Sequence, residues 1–311
     1  MHQINAKRFS KEYPFLNPSM KKNLKPQNTK LVKILKNKTI LITGGSGSLG
    51  SKLTEEILLY PVKSVRILDI DEHGLFKLGR SLNDSRLRLL LGNILDKERI
   101  EMAGKDADII FHTAAIKNIE ISELNPIETI ETNVTGTVNL IKMCTRNKPQ
   151  IFINISTDKA ANPSTLYGTT KQLSEKLTTW AGLHIPTTKF ASIRFGNLME
   201  SRGNVFEIWE EESKNNIPLS ITDPNMKRYF FHTQDAVNFI LKCVPLVKEG
   251  KIFVPKMNLF KICDLAKKIS LKHKVIGHRP GEKMKEILLT DEELRNTLET
   301  DDMWIIKSNS K

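Results

Sequence analysis

The stretch Thr39-Ile40-Leu41-Ile42-Thr43-Gly44-Gly45-Ser46-Gly47-Ser48-Leu49-Gly50 decides the fold. Its first five residues form a short apolar run rich in β-branched side chains, which reads as a buried strand. Gly44, Gly47 and Gly50 then fall at Gly-x-x-Gly-x-x-Gly spacing, and residues 51–60 read as a helix. Glycines let the backbone turn tightly and approach a pyrophosphate, while a helix N-terminus offers N–H donors and a positive dipole end. Such a loop alone is weak evidence. Set between a strand and a helix, it has the context that dinucleotide binding requires. Gly44, Ser46, Gly47, Ser48, Leu49 and Gly50 are therefore candidate cofactor-binding residues.

From this loop the chain alternates. Residues 64–68 predict a second strand ending at Asp69. A carboxylate there accepts bonds from ribose hydroxyls and repels a 2′-phosphate. No Arg follows directly in Asp69-Ile70-Asp71-Glu72, which favours NAD and leaves NADP as the alternative. Residues 86–91 predict a third strand, with Asn93 and Ile94 placed beside an adenine. Residues 108–112 predict a fourth, running into Thr113 and Ala114, small enough to leave room for the cofactor. His112 lies in an apolar run and reads as a satisfied core histidine. A helix over 127–142 carries Asn133, and strands over 150–155 and 189–195 follow. This alternation predicts an α/β fold with a doubly wound, Rossmann-like parallel sheet.

The residues after 150–155 carry the chemistry. Thr157, Asp158 and Lys159 stand at the carboxyl end of that strand, where open α/β sheets form their ligand crevice. Tyr167 and Lys171 are four apart, so on a helix they share a face. An ammonium beside a phenol is expected to lower its pKa, letting the phenolate take a hydroxyl proton near neutral pH. A surface turn followed by an ordinary amphipathic helix would give the same letters, so the pair alone does not decide.

The bulk numbers exclude several classes. No apolar run approaches the roughly 20 residues of a membrane helix, and no signal-peptide stretch opens the chain. Cys144, Cys243 and Cys263 are far apart and lack Cys-x-x-Cys or His pairing, so thiols in a reducing cytoplasm are expected and no metal site. The net charge of +13 is uneven: residues 1–40 hold ten Lys/Arg against one acid, and the remaining 271 hold 38 against 34. The excess reads as a basic N-terminal extension over 1–37, with a short helix around 31–35, rather than as a nucleic-acid-binding face. Beyond 196 the regularity falls. Ser201-Arg202-Gly203, Met226-Lys227-Arg228 and Arg279-Pro280-Gly281-Glu282 put guanidinium groups in loops, a composition suited to an anionic diphosphate. A helix over 234–246 and a strand over 251–254 return to the sheet. The expected organisation is thus a nucleotide-binding domain over 38–196, completed by about 234–254, and a smaller substrate-binding lobe over 197–311.

Taken together, the chain resembles the extended short-chain dehydrogenase/reductases, and within them the UDP-N-acetylglucosamine 4,6-dehydratases of the polysaccharide-biosynthesis group. The shared phrases are the glycine loop from Thr43 to Gly50, Ala114-Ala115-Ile116-Lys117, and Ser156-Thr157-Asp158-Lys159-Ala160-Ala161-Asn162-Pro163. They continue through Tyr167-Gly168-Thr169-Thr170-Lys171, Arg194-Phe195-Gly196-Asn197, Ser201-Arg202-Gly203, Phe253-Val254-Pro255-Lys256 and Arg279-Pro280-Gly281-Glu282-Lys283. The resemblance implies that Tyr167, helped by Lys171 and Thr157, takes the 4-hydroxyl proton of a UDP-sugar. Lys159 would remove the C5 proton and Asp158 would protonate the departing 6-hydroxyl. It implies further that Asn133, Lys117, Tyr167 and Lys171 touch the cofactor. Lys117, Asn197, Ser201, Arg202, Gly203, Arg228, Arg279 and Glu282 would hold the UDP-sugar. A homo-oligomer is also implied. Tyr167 matches the C5-inverting members and the Asp69 region the retaining ones, so the C5 outcome stays open. A C4 epimerase on the same fold is the alternative activity, and a non-catalytic dinucleotide sensor a remote one.

Overall fold

A computed structural model describes residues 29–279 and 281–308 of the protein. The chain runs α1 (Thr29–Leu35), β1 (Thr39–Thr43), α2 (Ser48–Leu58), β2 (Ser64–Asp69), α3 (Glu72–Leu82), β3 (Leu87–Leu91), α4 (Lys97–Gly104) and β4 (Ile109–His112). It continues with α5 (Ile119–Leu124), α6 (Pro126–Ile130), a π-helical turn (Glu131–Thr135), α7 (Gly136–Asn147), β5 (Ile151–Thr157), a 3-10 turn (Asp158–Ala160), α8 (Leu166–His184) and β6 (Lys189–Phe195). There follow β7 (Asn197–Leu198), α9 (Val205–Lys214), β8 (Leu219–Ile221), β9 (Lys227–Phe231), α10 (Thr233–Cys243) and β10 (Lys251–Pro255). The last elements are β11 (Leu259–Lys261), α11 (Ile262–Lys267), β12 (His273–Val275), α12 (Asp291–Arg295), β13 (Thr297–Glu299) and β14 (Met303–Ile306).

Nine strands form one sheet in the order β13-β14-β10-β6-β5-β4-β1-β2-β3. From β10 to β3 every neighbour is parallel, whereas β14 and β13 add antiparallel pairs at one edge. The direction of winding reverses between β1 and β4, the switch point at which such sheets open a crevice. The α/β class and the doubly wound parallel sheet are as the strand–helix alternation requires.

Both faces of the sheet are covered, so β1, β4 and β5 are buried along their length. One face packs Ile40, Ile42, Phe111, Ile153 and Ile193 on residues from α1, α2 and α10. The other packs Leu41, Ile110, Phe152 and Phe190 on α4, α7 and α8. Residues such as Phe111 and Phe152 are fully buried, each contributing about 1.5–3 kcal/mol by leaving water. A third cluster joins Phe206 and Trp209 of α9 to Leu219, Ile221, Phe230 and Ile262, with edge-on rings 5.1–5.6 Å apart.

Three elements depart from the sequence reading. Helix α2 starts at Ser48 rather than at 51, because Gly47 in an extended conformation caps it. Gly50 is therefore inside the helix, where a Cβ would stand 2.5 Å from the backbone of Gly44 and Gly45. The expected helix over 127–142 is broken by the π turn that holds Asn133. The helix expected over 234–246 ends at Cys243, and Val244–Leu246, with Pro245 inside, tightens to a 3-10 turn. Of the basic extension, residues 1–28 lie outside the described residues; Thr29–Leu35 is helical and buries Leu31 and Leu35. Among the described residues no helix is long and apolar enough to cross a membrane, and no cluster of His, Cys, Asp and Glu could hold a metal ion.

Candidate active site

The glycine loop turns at Gly44, whose φ of +67° and approach to Ala114 exclude a side chain. Its backbone N–H bonds Leu68 O at 2.8 Å, so β1, β2 and the end of β4 meet at this residue. Thr113 fixes the same corner by donating its hydroxyl to Thr43 O and Gly44 O at 2.7 and 3.1 Å. Helix α2 then begins with no side-chain cap and no acid in its first turn. Its N–H groups and positive end thus face the loop uncompensated, as an anionic group requires. Asp69 closes the other side. Its Oδ2 accepts from Ser46 N and Oγ at 2.9 and 2.7 Å, and its Oδ1 accepts from Asp71 N at 3.1 Å. The carboxylate keeps lone pairs for a ribose. These residues fit a dinucleotide.

Other sequence candidates are engaged in the scaffold. Asn133 is buried, accepts from Ile116 N at 2.8 Å and donates to Ile116 O and Thr170 Oγ1 at 2.9 and 3.0 Å. It ties the loop after β4 to α8. Ile94 packs in the core under Gly136, and Asn93 turns its side-chain oxygen to Leu95 N. His112 is buried between Thr43 Oγ1 at 2.8 Å and Thr137 Oγ1 at 3.1 Å, and burial pushes its pKa down to about 3. It is a neutral core histidine.

Strand β5 ends at Thr157, and the following 3-10 turn carries Asp158 and Lys159. Helix α8 starts against this turn, with Thr165 Oγ1 accepting from Gly168 N at 3.1 Å. That cap brings Tyr167 to the cleft in the first turn and Lys171 one turn later. Gly168 is required, since a Cβ there would meet Lys159 O at 2.5 Å. A cleft of about 490 Å³ opens at the strand ends. Thr113, Lys117, Thr157, Lys159, Tyr167 and Lys171 line it on the sheet side, and Asn197, Ser201, Arg202, Gly203, Arg228, Arg279 and Glu282 on the other.

Lys159 Nζ reaches Asp158 Oδ1 at 3.0 Å and Asn197 Oδ1 at 3.4 Å, and Thr157 Oγ1 donates to the same Asp158 oxygen at 3.0 Å. Asp158 itself does not line the cleft. It is fully buried, and its Oδ2 has no partner. Its charge meets the cavity through Thr157 and Lys159.

The expected electrostatics of the tyrosine are reversed. Burial pushes the Tyr167 phenol up, the Thr157 hydrogen bond offsets only part of this, and the Asp158 charge adds to it. Lys171 is itself brought down to about 8 by burial, with Glu175 opposing the fall. Desolvation acts on both charged forms and outweighs the pairing that sequence spacing alone suggests.

Arg202, expected on the sugar-nucleotide, lies over the glycine loop. Its backbone N–H donates to Ser48 Oγ at 3.1 Å, Nη1 approaches Asp71 Oδ2 at 3.3 Å and Nη2 approaches Ser46 O at 3.4 Å. Lys117 Nζ donates to Arg202 O at 2.8 Å, and burial lowers its pKa. At the opposite end Arg228 pairs with Glu282 at 3.0 Å and Arg279 with Glu120 at 2.7 Å. Glu120 was not singled out in the sequence, and neither were Ser220, Thr222 and Ile276, which line that end. They come from short elements without a motif.

The polysaccharide biosynthesis protein family model matches residues 40–308. An uncharacterized membrane protein of Methanocaldococcus jannaschii is 39% identical, with 87% of this chain and 86% of that one covered. The inverting UDP-N-acetylglucosamine 4,6-dehydratase of Campylobacter jejuni is 37% identical, covering 88% and 84%. The UDP-glucose 4-epimerase of Rickettsia bellii is 36% identical, covering 83% and 79%. Among solved structures, Pen from Bacillus thuringiensis aligns with a TM-score of 0.86 at 34% identity, covering 89% and 91%.

Proposed function

This chain belongs to the polysaccharide biosynthesis protein family and is an enzyme of the short-chain dehydrogenase/reductase sugar-nucleotide class, and on that premise we propose that it is a UDP-N-acetylglucosamine 4,6-dehydratase. One observation carries the reading: Thr157, Lys159, Tyr167 and Lys171 line a single cleft whose opposite wall holds Arg228 and Arg279. A C4 epimerase needs a base for one hydroxyl; an amine beside a buried carboxylate is what a β-elimination adds.

In the proposal NAD is held by Gly44, Ser46, Gly47, Ser48, Leu49, Gly50 and Asp69. When bound, it supplies the acceptor for the C4 hydride and its return to C6. Tyr167 takes the 4-hydroxyl proton, with Thr157 and the Lys171 ammonium stabilising the phenolate. The ketone at C4 acidifies C5, and Lys159 as the free amine removes that proton. Asp158, bonded to Lys159 Nζ, stabilises the ammonium that forms. The departing 6-hydroxyl takes a proton from the Asp158–Lys159 pair and leaves as water. The proton that Tyr167 took from the 4-hydroxyl exchanges back through solvent, and C5 is reprotonated as the hydride reaches C6, so hydride and protons balance and only water is lost. Arg228 and Arg279, released from Glu282 and Glu120, would hold the diphosphate. A cytoplasmic homo-oligomer is part of the same proposal.

The R. bellii relative and the withdrawal of Asp158 from the cleft wall support a second reading, C4 epimerisation. Incubation with UDP-N-acetylglucosamine followed by mass spectrometry separates them. A product lighter by one water supports dehydration. An isomer of unchanged mass supports epimerisation and refutes the first reading.

A further inference from the structure

Arg194, on β6, is 1% exposed and is held on every side. Its Nε and Nη2 donate to Oε1 and Oε2 of Glu175 at 2.9 and 2.7 Å. Along the next edge, Nη1 and Nη2 donate to Oε2 and Oε1 of Glu293 at 2.9 and 2.6 Å, and Nη1 also to Leu288 O at 2.9 Å. Burial works against the guanidinium charge, but Glu175 and Glu293 more than offset it. A buried ion group of this kind is weak evidence for stability, because desolvation consumes most of the Coulomb gain. Its charge also does not cancel: two carboxylates meet one guanidinium.

A second buried cation stands on α8, the helix that carries Glu175. Lys171 is four residues before Glu175, and Tyr167 four before Lys171, so the three share one face of α8 a turn apart. Lys171 is 3% exposed, and burial drives it towards the neutral amine. The charged or titratable groups that bear on it from other elements are His112 on β4, the Asp158–Lys159 pair of the 3-10 turn, whose Lys159 lines the same cleft, and Arg194 on β6, which reaches it through Glu175. His112 is neutral. The Asp158 oxygen that bears partners is engaged by Lys159 and Thr157. Glu175 is the carboxylate that opposes the loss of charge at Lys171. Its two oxygens are both gripped by the Arg194 fork, so it cannot swing away from the helix face.

We propose that Glu175, fixed by Arg194, is a positioning residue that keeps the Lys171 ammonium charged beside Tyr167. Glu293 belongs to the same assembly through the other edge of the guanidinium. It is the third residue of α12, where it forms a capping box with Thr290. The carboxy-terminal helix thereby reaches the Tyr167–Lys171 pair through two ion pairs. The inference deepens the proposed proton transfer, but its test reads Lys171 itself and does not need turnover.

The experiment is a side-chain NMR titration of the full-length protein labelled with 15N-lysine, with the Lys171 signal identified by its loss in Lys171→Met. Glu175→Gln is expected to reduce the proton affinity of Lys171 about tenfold. Glu293→Gln removes a carboxylate from the same Arg194, yet is expected to leave that affinity within about twofold, since its side chain is 22% exposed and sits across the guanidinium from the helix that carries Lys171, on the edge that shares only Nη2 with Glu175. If Glu175→Gln is not recovered folded, Glu175→Asp keeps a carboxylate near Arg194 while drawing it back from Lys171, and a smaller fall is expected. An unchanged Lys171 titration in either folded Glu175 variant overturns the proposal, as does an equal fall in Glu293→Gln. A purely structural role would lower the melting temperature of both glutamate variants and leave the titration alone. Absence of dehydration would refute the proposed reaction without touching this result.

Discussion

Lys159 and Tyr167 face the cleft from two different elements, a 3-10 turn and the first turn of a helix, and a glycine at 168 lets those elements touch. In the proposed reaction each moves one proton. Lys159→Ala and Tyr167→Phe are therefore expected to lower kcat by about 10²–10⁴ each, with the melting temperature little changed. Steady-state kinetics with thermal melts check this, and a variant that turns over at the wild-type rate would remove its residue from the mechanism. Asp158 differs in kind. Because it is fully buried with one oxygen unpartnered, Asp158→Asn is expected to reduce both activity and stability, the latter by about 1–3 kcal/mol. At this scale the motif letters revealed which groups gather, since a tyrosine and a lysine four apart share a helix face whatever surrounds them. They did not reveal the direction of the Tyr167 shift. That depends on how much water the whole fold excludes, which no local spacing encodes.

The elements explain why the glycine loop and its neighbours tolerate so little change. Gly50 sits in the first turn of α2 against the backbone of Gly44 and Gly45, so the helix axis is set by contact between main chains. Gly50→Ala is expected to push α2 off the loop, weaken dinucleotide binding at least tenfold and cost about 2–3 kcal/mol. Fluorescence titration with NAD and a denaturant curve would measure both. Gly182 plays a similar part for α8, since a Cβ there would run into the backbone of Gly250, just before β10. Between β1, β4 and α7, His112 bonds Thr43 and Thr137 as a neutral ring. Its pKa is depressed from 6.5 to about 3, so between those values the unfolded chain binds the proton that the folded one refuses. Stability from this group is complete above pH 6.5 and is lost as pH falls towards 3. His112→Gln is accordingly expected to flatten the acid limb of a plot of melting temperature against pH; an unchanged limb would contradict the assignment. Sequence alternation located β1 to β6 and β10, most plainly β1, β4 and β5, because strands buried along their length read as nearly continuous apolar runs. It missed the π turn at Asn133 and the early start of α2, since both follow from tertiary contacts of single residues.

In the whole molecule, the sheet brings residues more than a hundred positions apart to one crevice. Arg202 lies over Ser46 and Ser48, and Lys117 holds its carbonyl, so the far loop closes on the nucleotide loop. The other end of the crevice is walled by Ser220, Thr222 and Ile276, from short strands and loops that carry no motif and were invisible before folding. The antiparallel pairing of β14 with β10 was equally hidden, because four residues of ordinary composition specify no partner. The Asp69 carboxylate at the end of β2, held by Ser46, is expected to select NAD. Dinucleotide released from purified protein by heat and identified by chromatography should be NAD, and NADP in its place would overturn that choice. The most direct measurement for the central claim uses UDP-N-acetylglucosamine carrying deuterium at C4, with the product read by NMR. Dehydration by internal hydride return puts the deuterium in the C6 methyl group of a 4-keto product. Deuterium retained at C4 of an unoxidised sugar would contradict it.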